Sequence, residues 1–202
     1  VKNLLKIIKP ALILFLICAL TTAALVFVNQ ETRDTIKALT EEAQVEARKM
    51  VLGDADSFAE IKALDKYIKE NPSFSIIKSG HYGKKDDETV GAVYLVKPKG
   101  YGGEINIVVG IDKDGIVQGI QIGDNNETPG LGSKAAEKPF YSQFTGIDSG
   151  KAIVLVKTKK QNDNEIEAIA GVTITSKAVV DGVQEVSKLH SLLMEGGLAD
   201  EE

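Results

Sequence analysis

The chain has 202 residues and a formal net charge of −5 at pH 7. Lys2, Lys6 and Lys9 carry the only charges before Val28, so of the 24 basic residues 21 remain against 29 acidic ones beyond it, a balance near −8 that excludes nucleic acid as a partner. A single cysteine, Cys18, excludes an intrachain disulfide framework and a thiolate metal site, and two histidines without ligand spacing, His81 and His190, define no metal centre.

The first element is an 18-residue uncharged run from Ala11 to Val28. As a helix it covers about 27 Å, close to the hydrocarbon thickness of a bilayer. The three lysines precede it, while Glu31, Arg33, Asp34 and Lys37 after it sum to zero. The lysine asymmetry places the N-terminus in the cytoplasm and the 174 residues after Val28 outside. A cleaved signal peptide shares the basic start and apolar run, with Thr22-Ala23-Ala24 as its small-residue site. Cleavage there leaves Leu25 to Val28 as an apolar stub, so the anchor is the expected reading.

Beyond the span, Ile36, Leu39, Ala43, Ala47 and Met50 trace one face of a helix expected to end at Gly53. A second helix is expected from Ser57, with Phe58, Ile61, Leu64 and Ile68 inward, stopped by Asn71-Pro72. The period then changes to two. Strands are expected over Phe74–Lys78, Val90–Lys97, Glu104–Ile111 and Ile116–Ile122, separated by Gly83–Glu88, Pro98–Gly103 and Asp112–Gly115. Ile105, Ile107, Val109 and Ile111 share one face, and the Asp-Lys-Asp-Gly gap signals a hairpin. A helix near Ser133, a strand Ala152–Lys157, a polar turn through Asn162 and Asn164, and a strand ending at Ala170 follow. The last helix places Val179, Val183, Val186, His190 and Leu193 on its packed face.

These elements make an α+β chain: a twisted antiparallel sheet with flanking helices, preceded by one N-terminal transmembrane helix. The expected division is 1–30 cytoplasmic start and anchor, 31–71 helical lead-in, 72–195 main domain and 196–202 a frayed acidic tail.

Three segments carry the chemistry. Ala170-Gly171-Val172-Thr173-Ile174-Thr175 joins a short strand to the last helix; Gly171 frees the backbone, and Thr175 or Ser176 can cap the helix. The unpaired N–H groups of that first helical turn favour an anion beside it. In Glu127-Thr128-Pro129-Gly130-Leu131-Gly132 the glycines let the backbone approach a planar ligand, Pro129 stiffens the loop and Leu131 can cover an apolar ring. In Gly100-Tyr101-Gly102-Gly103 an aromatic among glycines suits stacking or closing a pocket rim, and serves equally as a hairpin loop. Lys134 and Lys177 can neutralise phosphate or stand as solvated helix-start residues. Gly132-Ser133-Lys134 lacks the order of a phosphate loop, and no nucleophile-base-acid arrangement can be read.

Taken in order, the three segments resemble the FMN-binding domain of the G subunit of Rnf ion-translocating ferredoxin:NAD oxidoreductases and of the related C subunit of sodium-pumping NADH:quinone reductases. The first resembles the S/T-G-A-T segment of those families, differing at Glu167, Ala170 and Val172 and keeping Gly171 and Thr173. The resemblance implies FMN carried covalently on Thr173 through a phosphoester, with Gly171, Val172, Thr175, Ser176, Glu127, Thr128, Gly130, Leu131, Gly132, Tyr101, Gly102 and Lys134 around it. It also implies an electron-transfer subunit without complete catalytic activity alone, with the other subunits of the complex, a flavin transferase and the bilayer as partners. The quinone-reductase homologue and a membrane-anchored flavin-binding sensor are the alternative readings.

Overall fold

The computed structural model describes residues 2–194, with backbone alone at 2–7, 34, 35 and 37–39; the expected tail from Gly196 lies outside the described residues. The chain divides into two compact units, Val1–Val45 and Glu46–Glu202.

Helix α1 runs from Lys2 to Val51, so the apolar run and the helix expected after it are one element. Within it, Ile8–Arg33 is long and apolar enough to cross a membrane, with mean hydropathy 2.8 and no part of its most apolar window buried within the chain. Of the face expected through Met50, Ile36 and Met50 are exposed and Ala47 is half-buried. Val51 and Leu52, where the helix stops, are buried instead.

The second unit is built on a five-stranded antiparallel meander, β1 (Ser57–Glu60), β2 (Ile77–Lys85), β3 (Glu88–Val96), β4 (Ile105–Asp112) and β5 (Val117–Asn125), in spatial order 1-2-3-4-5. Residues 57–60 correct the expected helix. Their apolar spacing also fits an edge strand, and pairing of Ser57–Glu60 with Lys84–His81 decides the conformation. Only Leu64–Glu70, α2, is helical in that stretch. The second strand begins three residues later than expected and continues through His81 and Gly83 to Lys85, beyond the expected end at Lys78. Its turn is the pair Asp86-Asp87, both at positive φ (47° and 67°), the geometry of a tight two-residue hairpin. The Asp112–Gly115 turn forms as expected, with Asp112 Oδ1 accepting from Asp114 N (2.9 Å) and Ile116 N (2.8 Å).

Ile105, Ile107, Val109 and Ile111 all face the main core. Helix α4 (Thr173–Met194) lies over that face and buries Val179, Val183, Val186, His190 and Leu193 against it. Residues 132–144 fold as short helical turns, including α3 (Lys138–Tyr141), which bring Phe140 and Phe144 into the same core. The opposite face holds a smaller cluster of Val51, Leu52, Ala55 and Val93, joined by Phe58, Val90 and Val108. A Cβ at Gly110 would overlap the Val51 carbonyl, so only glycine lets the end of α1 lie this close to β4. Two short strands, β6 (Val154–Val156) and β7 (Glu165–Glu167), pair in parallel as a separate ribbon. The strand expected to end at Ala170 therefore stops at Glu167, and 168–172 is a loop.

Candidate functional site

The three singled-out segments meet. Tyr101, Glu127, Thr128, Leu131, Gly132 and 171–175 line one cleft of about 490 Å³, within the range of small-molecule sites. Its floor is polar and its rim apolar: Tyr101 is 71% exposed, Leu131 50% and Ile174 58%. Ile174 is a lining residue that sequence reasoning missed, although its place between two threonines at a helix start marked it as outward-facing.

Helix α4 begins at Thr173, two residues before the expected cap. Gly171 turns the chain at φ 76°, Val172 N donates to Ile169 O (3.0 Å), and Ser176 N is the first to bond back along the helix, to Val172 O (3.0 Å). The N–H groups of Thr173, Ile174 and Thr175 therefore precede the intrahelical ladder and face the cleft end.

Three hydroxyls stand in this turn, and their fates differ. Thr175 is buried and its Oγ1 donates to Glu127 Oε2 (2.7 Å). Ser176, fully buried, donates to Val172 O (2.9 Å) and accepts from Ile169 N (3.1 Å). Thr173 is exposed, and its hydroxyl has no hydrogen bond within the chain among the described residues. Neither Thr175 nor Ser176 caps the helix; both tie its first turn to the loops beneath.

Glu127 joins the segments. The residue is 7% exposed, with Oε1 accepting from Gly102 N (3.0 Å) and Oε2 from Thr175 Oγ1. A Cβ at Gly132 would overlap Oε2 and one at Gly100 would overlap Oε1. Gly130 differs from Gly132: it sits at φ 75° with open space around it and donates to Ser133 Oγ (2.9 Å). Positive φ is thus a requirement at Gly130 and not at Gly132.

Lys134 stands apart from the cleft lining. It borders a neighbouring depression with Lys159, Lys160, Phe140, Gln143 and Ala170. Lys177 follows the second of its two expected readings, a solvated residue at the helix start, pairing with Asp181 (2.7 Å) on the helix surface.

A flavin-type ligand fits this arrangement on three observations: a cleft of suitable volume, an apolar exposed rim, and a free hydroxyl on the first residue of a 22-residue helix. Fold and site together define a flavin-binding domain following a helix of membrane-spanning length, and residues 100–188 match the family model of the FMN-binding domain. Residues 3–51 match the model of the RnfG N-terminal region.

Over 185 residues the chain is 40% identical to the G subunit of the Na(+)-translocating ferredoxin:NAD(+) oxidoreductase complex of Acetobacterium woodii, covering 88% of each. It is 31% identical over 180 residues to the G subunit of the ion-translocating oxidoreductase complex of Escherichia coli K12, covering 87% of each. The chain belongs to the family of Rnf complex G subunits. Among solved structures, NqrC of Shewanella oneidensis matches with a TM-score of 0.48 at 21% identity, covering 57% of this chain and 58% of that one. The C subunit of the Na(+)-translocating NADH-quinone reductase of Parabacteroides distasonis matches at 0.48 and 23%, covering 60% and 64%, so the chain spans under two thirds of either.

Proposed function

We propose that this chain is the electron-transfer G subunit of a membrane ion-translocating ferredoxin:NAD oxidoreductase complex, with FMN esterified through its phosphate to Thr173. The single observation that carries the reading is the state of the three hydroxyls at the start of α4. Those of Thr175 and Ser176 are buried and bonded, whereas Thr173 Oγ1 is exposed and free at the cleft.

When bound, FMN supplies one- and two-electron redox chemistry, which the protein orients and tunes. The residues divide that work. The first-turn N–H groups of α4 and the helix dipole favour the phosphate diester charge at Thr173. Gly171 at φ 76° places the helix start over the cleft. Tyr101, Leu131 and Ile174 offer apolar surface that excludes water from a planar ring. Glu127 and Thr175 fix the floor.

The segment Ile8–Arg33 anchors the chain in the bilayer, and the lysine asymmetry across it puts the flavin domain on the extracytoplasmic side. There a covalent bond holds the cofactor where no pool replenishes it, and a flavin transferase is the maturing partner. The other subunits of the complex pass and receive the electrons, and this chain alone completes no reaction.

The test is a denaturing gel of the protein produced with a flavin transferase. A phosphoester survives unfolding, so the wild-type band should fluoresce and Thr173→Ala should be dark. Fluorescence retained in Thr173→Ala would overturn the assignment.

A further inference from the structure

Three segments distant in sequence converge on Glu127. Its oxygens accept from two donors, Gly102 N and Thr175 Oγ1. No ion pair involves it among the described residues. Gly100 and Gly132 lack side chains where a Cβ would press on its two oxygens. The cleft is therefore built around a carboxylate held by neutral donors on a buried residue.

Holding the loops together would not by itself call for an acid. An apolar side chain, or an amide bonded to the same neighbours, fills such a place at lower desolvation cost. What a carboxylate adds is a fixed negative charge in a wall of low polarizability. Such a charge acts on any group in the cleft whose own charge changes.

We infer that Glu127 sets the reduction potential of a flavin held in this cleft, its carboxylate opposing electron gain by the ring. The inference rests on the proposed attachment of FMN at Thr173. Reduction adds negative charge to the ring, and a fixed carboxylate charge in the wall of the same cleft opposes that gain, the more strongly the lower the local dielectric. Hydrogen bonds from Gly102 N and Thr175 Oγ1 spread part of the carboxylate charge and moderate the effect. Glu127 is thus a tuning residue, and Thr175 acts through it.

The experiment uses the full chain, made with a flavin transferase, purified in detergent and titrated spectroelectrochemically, with the attachment residue mapped by peptide mass spectrometry. Glu127→Gln keeps the volume and removes the charge. It should shift the reduction equilibrium about tenfold toward reduced flavin, a move of about 30 mV in the positive direction for the two-electron couple. Thr175→Val keeps the carboxylate and removes a donor, so its potential should move the opposite way, to more negative values.

A role confined to holding the loops predicts the same sign for both variants, because both disturb the Glu127–Thr175 contact. Equal signs, or a Glu127→Gln protein loaded at Thr173 with wild-type potential, would overturn the inference while leaving the proposed function intact. If Glu127→Gln fails to load, Thr175→Val decides: an unchanged or more positive potential overturns it. Wild-type protein without flavin on Thr173 would overturn the proposed function, and the inference with it.

Discussion

Acidification should weaken the domain through its buried histidine, His190, and the sign and size follow from its surroundings. His190, 1% exposed on the packed face of α4, sits between Tyr94 Oη, 3.0 Å from Nδ1, and the Asp112 carbonyl, 3.0 Å from Nε2. A carbonyl only accepts, so Nε2 carries the proton and the neutral ring's Nδ1 accepts from the Tyr94 hydroxyl. Burial pushes the His190 pKa below its ordinary 6.5, against smaller opposing effects of the Asp112 carbonyl hydrogen bond and the Asp112 charge. Burial likewise drives the Tyr94 pKa upward, so the phenol stays a donor.

Because the folded pKa is depressed, the unfolded chain binds the proton first. The stabilisation from keeping His190 neutral is complete above about pH 6.5 and is lost as pH falls below it, by up to about 1.4 kcal/mol per pH unit until the folded pKa is reached. His81 is also shifted down, by burial first and by Arg48, with Glu60 opposing, so it acts with the same sign. Comparison with His190→Phe isolates the buried ring. That variant leaves the Tyr94 hydroxyl and the Asp112 carbonyl without their partner, at about 1–3 kcal/mol each at neutral pH. Urea unfolding of the full chain in detergent, followed by tyrosine near-ultraviolet circular dichroism at pH 7.5, 6.5, 5.5 and 5.0, gives both numbers. The expected result is a steeper loss of stability with acid in wild type than in His190→Phe. Parallel pH profiles would refute the reasoning.

Gly132→Val should disrupt the cleft by driving a side chain into Glu127, abolishing flavin incorporation, whereas Lys159→Ala, in the neighbouring depression, should leave incorporation and spectrum unchanged. Gly130→Ala meets no atom but must hold φ 75°, so it should cost about 1–2 kcal/mol in urea unfolding while still taking flavin. Gly110→Ala should loosen the seat of Val51 on β4, seen as faster amide exchange over residues 49–55 with the cleft unaffected. Protease added to intact cells should reach sites beyond the span but not Lys2 to Lys9; a protected flavin domain would reverse the topology.

Much of the fold was legible where a period was unambiguous. The alternation through Ile105–Ile111 and the three-and-four spacing of Val179, Val183, Val186, His190 and Leu193 were read as the two buried faces, and these pack on each other. Reading failed where local pattern and tertiary pairing disagree. Ser57–Glu60 has spacing compatible with a helix, and only β2 beside it makes it a strand. The two strands expected over Ala152–Lys157 and up to Ala170 form, but shortened to three residues each, and their parallel pairing was not legible because so short a pattern carries no partner information.

The site was legible as three motifs but not as one constellation. Glycines and threonines mark where the backbone bends and where hydroxyls stand. They do not reveal that Gly100 and Gly132 are small for the same carboxylate, or that Thr175 is bound while Thr173 is free. Lys134 looked equally suited to the cleft until the turn at 132–136 carried it to the next depression.

The most direct measurement of the central claim is the location of the flavin. Protein made with a flavin transferase, digested and sequenced by tandem mass spectrometry, should carry the mass of FMN less water on Thr173 and on no other residue, with Thr175 and Ser176 unmodified. Modification mapped to Thr175, or a chain bearing no covalent flavin under those conditions, would contradict the account.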